Sequence, residues 1–388
     1  MTERFPVFDA AEHQARVDRL QAAMAARGQD ALLLTMPADI FYVTGFLTRF
    51  WDSPTRPWFV LVPATGDPVA VIPAIGHDLM RRTWAGEIRT WDAPHPHDDG
   101  LSLLSDSICA MVPEGGVLAV PMGRETWLRM PLSGYFAVIE RIAPRRIRDG
   151  TDTVQRVREI KSAAEIEQIA QVCAVAGRAF DRMPAIAVAG KPLDAVARDF
   201  QVAALEEGAD WVAYLATRAG PGGYGDVISP AETRPLETGD VLLLDTGAVR
   251  NGYYCDFDRN FAIGRASDGV RRAHGVLYGA TSDALAALRP GMRACDAHRL
   301  LAEGIERRGM TPLGGRLGHG LGISLTEWPS LLPWDETVLH ENMVLTLEPG
   351  VEVSAGRILV QEEVFVLGAE GARLLSPRGP ADLPVLGD

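Results

Sequence analysis

Three aspartates crowd one short stretch of this chain, LLLDTGAVRNGYYCDFDRNF, residues 242–261: Asp245, Asp256 and Asp258. Asp245 closes an apolar run, and the other two stand among aromatic residues. An unpaired carboxylate is costly to bury, so such groups neutralise or find a cation. By themselves, Asp245 and Asp256 read equally well as solvated edge residues or as two ligands facing each other across a hairpin ladder. Three later features favour ligands. His319 stands in GGRLGHGLGI, where Gly318, Gly320 and Gly322 permit close backbone approach. Glu348 ends the apolar run of MVLTLEPG, before a Pro-Gly stop. Glu362 and Glu363 fall together in LVQEEVFV; with both faces of that strand covered, one of them must point inward. Four carboxylates and one imidazole favour Mn²⁺, Fe²⁺ or Co²⁺, and also admit Zn²⁺. Several carboxylates can bridge two ions roughly 3.5–4 Å apart, the arrangement used in metal-assisted hydrolysis.

The elements that must position these residues fall into two regions. In the first, ARVDRLQAAMAARG reads as an amphipathic helix ended by Gly28, and DALLLTM, WFVLVPA, DPVAVIP and VLAVPM read as buried strands. This is α/β material. A polar break, RIAPRRIRDGTD, puts the boundary near residue 150, giving domains 1–150 and 151–388. Beyond it, Ser162 followed by Glu165 forms a capping-box pattern before a long helix. A second helix, LDAVARDFQVAALEEG, stops at Gly208. GDVLLLDTGA and YYCDFDRNFAIG read as two strands, helices follow near 267–288 and 294–309, and MVLTLEPGVEV and RILVQEEVFVL close the pattern as strands. The second region is therefore α+β.

A formal net charge of −13 argues against nucleic acid or an anionic membrane as partner. Neither a signal peptide nor a run of membrane-spanning length is expected from the sequence. The four cysteines are scattered without a CxxC pair, which fits a reduced, cytoplasmic protein with free thiols.

The order of these motifs resembles the pita-bread metallopeptidase superfamily, peptidase family M24, which includes aminopeptidase P, prolidase, methionine aminopeptidase and creatinase. The resemblance runs from YVTGF (Tyr42 to Phe46) through REIKSAAEIEQI, DTGA…GYYCDFDRNF, GHGLG and LEPG to QEE. It implies a creatinase-like N-terminal α/β domain followed by a pita-bread catalytic domain. It also implies two divalent ions held by Asp245, Asp256, His319, Glu348 and Glu362, with Glu363 the fallback if the last strand is shifted by one. Asp258 takes a place where relatives carry a hydroxyl residue, which leaves it outside the ligand set. Glu348 and His319 become the catalytic pair, with Glu348 shuttling a proton as metal-activated water attacks an amide C–N bond. A homodimer is implied as well, the N-terminal domain of one subunit closing over its neighbour's site. GFLTRFWDSPTRPWFVLV, with Phe50 and Trp51 at its tip, reads as that lid.

The chain departs from the peptidase pattern at two histidines. The loop RAGPGGYGDVISP has none, and Thr326 stands where a second is expected, seven residues after His319. The pocket candidates are then Tyr224, Asp226, Arg316, Thr326, Glu327 and Trp328. The departures raise an alternative to peptide hydrolysis, a small-molecule enzyme of the ectoine hydrolase or dimethylsulfoniopropionate lyase kind. A non-catalytic binding homologue is the third reading.

Overall fold

The computed structural model describes residues 7–52 and 56–387. Two compact units emerge, Met1–Arg158 and Glu159–Asp388. The division falls after the helix Thr151–Arg158, not at the polar break near 150, because that helix is tied backwards. Thr153 donates to Gln29 (2.8 Å), and Arg158 forms a buried ion pair with Asp39 (2.7 Å).

The first unit is a six-stranded mixed sheet. Its strands are β1 (Ala31–Leu34), β2 (Phe59–Pro63), β3 (Val69–Pro73), β4 (Glu87–Trp91), β5 (Val117–Val120) and β6 (Arg146–Asp149), in the order β4-β3-β2-β1-β5-β6. β2 runs antiparallel to both β1 and β3, and the other pairs are parallel. Leu104, Ile108, Val138 and Ile142, at helical spacing, cover Leu33, Leu61 and Leu118. The helix Ala10–Ala26 is capped by Asp9, and Gly28 beyond it takes φ +62°, where a side chain would be strained. In the aromatic stretch, Trp51 meets Trp58 edge to face (5.6 Å between ring centroids) beneath Arg129. Residues 53–55 of the expected lid lie outside the described residues.

The second unit opens with the helix Ala163–Asp181, whose capping box joins Ser162 and Glu165. Strands β7 (Trp211–Pro221), β8 (Asp240–Arg250), β9 (Tyr253–Tyr254) and β10 (Phe257–Ile263) follow. Later come β11 (His319–Gly320), β12 (Glu327–Ser330), β13 (Val344–Leu347), β14 (Gly350–Ser354), β15 (Arg357–Val360), β16 (Glu363–Gly368), β17 (Gly371–Leu374) and β18 (Val385–Leu386). One sheet has the order β18-β10-β8-β7 with β9 on β8; another is β12-β11-β13-β16-β17; β14 and β15 form a separate pair. The helix Asp268–Ala287 lays Val270, Ala273 and Leu277 on Val241 and Leu243 of the first sheet. Near its C-terminal end Ala284, with Leu301 of the next helix, packs on Leu345 and Phe365 of the second. Together these strands and helices form an α+β pita-bread fold.

Two expected strands are each broken at a glutamate. MVLTLEPGVEV divides into β13 and β14 around Glu348 and Pro349, and RILVQEEVFVL divides into β15 and β16 around Gln361 and Glu362. Both arms leave one sheet for another there, so the ladder is interrupted and two side chains are released from the pleat. The Gln361 N–H donates to the Pro349 carbonyl (3.1 Å), holding the two breaks level. Among the described residues, no helix is long and apolar enough to cross a membrane.

Candidate metal centre

Asp245 lies on β8, whose residues from Asp240 to Val249 are all buried. Its partner across the ladder is Asp258, not Asp256 as the hairpin reading expects. Asp256 comes one residue before β10 begins, and since side chains alternate along a strand it projects to the same face as Asp258. His319 on β11 and Glu362 at the β15–β16 break complete the nearest group. Asp256, His319 and Glu362 each offer a ligand atom, all within 4.8 Å of one another. His319 Nε2 is 3.4 Å from Asp256 and 3.8 Å from Glu362.

The imidazole is oriented for this role. Its Nδ1 lies 2.8 Å from the Gly320 carbonyl, which assigns the ring proton to Nδ1 and turns Nε2 toward the carboxylates. Gly318 and Gly320 allow the approach: a Cβ on Gly318 would stand 2.2 Å from the Thr346 carbonyl oxygen, and one on Gly320 2.1 Å from that of Trp328.

The donor set fits divalent cations. Asp245 Oδ1, Asp258 Oδ2 and Glu362 Oε1 are buried with no hydrogen-bond partner. Burial holds the carboxyls of Asp245 and Glu362 well above the usual range, and neighbouring carboxylates add to the effect. Burial pushes Asp256 up to about 8, while Arg316 acts in the opposite direction. Glu348 is raised by burial, and the charges of His319 and Arg316 oppose the shift. Such a cluster is stable as carboxylates only with cations among them.

Glu363 faces another environment. It accepts from Ser376, Arg259 (3.2 Å) and the Gly379 N–H (2.9 Å), and pairs with Arg378 (3.1 Å). Its neighbour Glu362 carries the buried oxygen without a hydrogen-bond partner. One residue near the centre escapes sequence reasoning. The Tyr214 hydroxyl donates to Val227 (2.6 Å) and lies within hydrogen-bonding reach of Asp245, and no motif marks it.

The model of metallopeptidase family M24 matches residues 167–373, more than half the chain, and that of the creatinase/prolidase N-terminal domain matches residues 16–160. The chain belongs to family M24. A Mycobacterium tuberculosis protein named probable dipeptidase PepE is 26% identical over 94% of each chain. A Pyrococcus furiosus Xaa-Pro dipeptidase is 30% identical over 58% of this chain and 65% of its own. The crystal structure of dipeptidase PepE from Mycobacterium ulcerans superposes with a TM-score of 0.84 at 26% identity, covering 98% of this chain and all of the other.

The pocket candidates of this M24 chain separate by environment. Tyr224 is fully buried; its hydroxyl donates to Asn260 (3.0 Å) and accepts from the Val360 N–H (2.8 Å), a structural post between strands. Asp226 closes its own turn on Ser229. Arg316 is exposed, with its charge felt at Asp256 and Glu348. Thr326 and Trp328 are half-buried. Glu327 is 2.9 Å from Lys161, both nearly inaccessible, and accepts the Ser324 N–H (3.1 Å). Glu327 therefore anchors the 322–327 loop. Breaking such a pair strands a buried charge, so Glu327→Ala should lower stability by about 3–5 kcal/mol in denaturant unfolding. A variant as stable as the parent would return Glu327 to the list of substrate contacts.

Proposed function

We propose that this protein is a dinuclear metal-dependent dipeptidase acting on small peptides, with Asp245, Asp256, His319, Glu348 and Glu362 holding two divalent ions of the Mn, Fe, Co or Zn group. The observation that carries this is the buried Asp256–His319–Glu362 group, together with the buried oxygens Asp245 Oδ1, Asp258 Oδ2 and Glu362 Oε1 that have no hydrogen-bond partner. The full-length similarity to a probable dipeptidase supports the substrate class. When bound, the ions would polarise the scissile carbonyl and acidify water. The chain's own residues do the rest. Glu348, half-buried at the break before Pro349, would take a proton from water and pass it to the leaving amine. The exposed Arg316 draws the peptide's carboxylate toward the centre. Thr326 and Trp328 shape the pocket beside it.

The test is elemental analysis of the purified protein, followed by dipeptides with and without proline, N-acyl amino acids, ectoine and dimethylsulfoniopropionate, each assayed before and after chelation. Dipeptide hydrolysis that disappears with the metal and returns on reloading is expected. Undiminished hydrolysis by protein shown to be metal-free would overturn the assignment.

The reading extends to a cytoplasmic homodimer without nucleic-acid or membrane partners. Phe50 is 38% exposed at the edge of the aromatic stretch, and exposed aromatics mark interfaces. Sedimentation at micromolar concentration should give a dimer, and Phe50→Asp should shift it toward monomer. A fully active monomeric parent would refute this.

A further inference from the structure

Asp258 has no place in the five-ligand set, yet its surroundings are those of a ligand. It lies on β10 directly opposite Asp245 on β8. Directly opposed residues of an antiparallel pair project to one face, and Asp256, two residues earlier, joins them. The alternate positions point away: the Arg259 guanidinium lies over the Phe257 ring, 4.7 Å from its centroid. Asp258 is 2% exposed. Its Oδ1 accepts the Glu362 N–H at 3.0 Å, so it touches the backbone of a proposed ligand. Its Oδ2 is buried without a hydrogen-bond partner. The adjacent arginines are committed elsewhere. Arg259 donates to Glu363 and to the Asp258, Glu362 and Pro377 carbonyls. Arg378 serves Glu363, Tyr278 and Ser282. A buried carboxylate oxygen left this way is costly unless a cation arrives.

We propose that Asp258 is a sixth protein ligand, its Oδ2 helping to hold one of the two ions, so that the centre carries five carboxylates and one imidazole. This rests on the metal-centre reading above. The added oxygen and charge favour hard ions of higher coordination number, Mn²⁺ over Zn²⁺. The Oδ1 bond to the Glu362 N–H fixes the Asp258 carboxylate against the backbone of that ligand, so the two should respond together when an ion is lost.

The test measures metal binding itself. Asp258→Asn keeps an oxygen for the Glu362 N–H and removes only the charge and the free ligand atom. In equilibrium dialysis against Mn²⁺, the parent should hold two ions. The variant should hold one at the same concentration, with affinity for the other at least tenfold weaker and a smaller loss for Zn²⁺. The melting temperature of the metal-free variant should equal or exceed that of the metal-free parent, because a buried unpaired carboxylate is gone; a purely structural aspartate would lower it. Asp258→Thr is the second variant and should show the same loss of Mn²⁺. Unchanged Mn²⁺ stoichiometry and affinity in both variants would overturn the proposal, as would failure of both to fold without metal. A parent that binds no divalent ion would instead bring down the metal-centre reading, and this proposal with it.

Discussion

Asp245→Asn should lower kcat/KM by more than about 10³-fold while leaving the metal-free fold intact. The carboxylate is buried on β8 with Oδ1 unpartnered, surrounded by Asp256, Asp258 and Glu348. Nothing in the fold needs its charge; only a cation does. His319→Ala should do the same by removing the imidazole nitrogen that faces Asp256 and Glu362. Metal removal from the parent should reproduce both effects and expose a characteristic pH dependence. Burial pushes Asp256 up to about 8, whereas in an unfolded chain it titrates near ~3.9. Between those values the metal-free fold keeps a proton that the unfolded chain has released. The unfolded state thus binds fewer protons, and stability falls as pH rises through this window. Urea melts of chelated protein at pH 5 and pH 8 should show the loss, and Asp256→Asn should reduce it. Metal-loaded parent should escape it, because the cations replace the protons. Equal pH dependence in chelated parent and Asp256→Asn would contradict this account, as would an Asp245→Asn enzyme that retains both metal and turnover.

How far the sequence shows all this depends on the range of the interaction. Ser162 and Glu165 are three residues apart, and the capping box they form is a local event that the spacing dictates. Gly28 beyond the first helix is equally local. The strands around Glu348 and Glu362 are not. The run around Glu362 reads as continuous because the residues on both sides are apolar, and at Glu348 the Pro-Gly stop marks an end without showing which sheet the chain joins next. Only the sheet order shows that each run changes partners at its glutamate. The choice between Glu362 and Glu363 has the same origin. Both are buried, and what separates them is Arg259, Arg378 and Ser376, groups at other points of the chain that claim Glu363. Register explains the pairing of Asp245 with Asp258. A two-residue shift across a hairpin is invisible in spacing, yet it exchanges one aspartate for another. Tyr224 and Glu327 turn to buried partners, which the sequence does not show because a polar residue beside glycines looks the same whether it faces a cavity or a buried partner. Their partners, Asn260 and Lys161, lie 36 and 166 residues away.

Xaa-Pro dipeptides should be cleaved some 10²–10⁴-fold less efficiently by this enzyme than by a prolidase that carries both peptidase histidines, assayed with the same metal. The reason is local to two loops. The segment 219–230 holds no histidine, and there Tyr224 is fixed in the core and Asp226 closes its own turn. At the second position stands Thr326, half-buried in a loop held by the Lys161–Glu327 pair and by the Tyr254 N–H on the Gly322 carbonyl (2.9 Å). The loop is close to the proposed centre: a Cβ on Gly247, two residues beyond Asp245, would meet Leu325 at 2.6 Å. A threonine hydroxyl there can donate a hydrogen bond, but it cannot carry the positive charge that stabilises a developing anion as an imidazolium does. Dipeptides whose scissile bond is a secondary amide, with an N–H that X–Pro lacks, have less need of that help and should be the better substrates. Because the loop is anchored at both ends, Thr326→His should place an imidazole without refolding it, raising kcat on Xaa-Pro substrates more than it changes KM. Trp328→Ala should lower turnover of the preferred dipeptide while leaving bound metal unchanged, since in the proposed site the indole borders the pocket and is no ligand. A parent enzyme that matches a histidine-bearing prolidase on Xaa-Pro substrates would show that the missing histidines are replaced from elsewhere, with Tyr214 beside Asp245 the first residue to substitute.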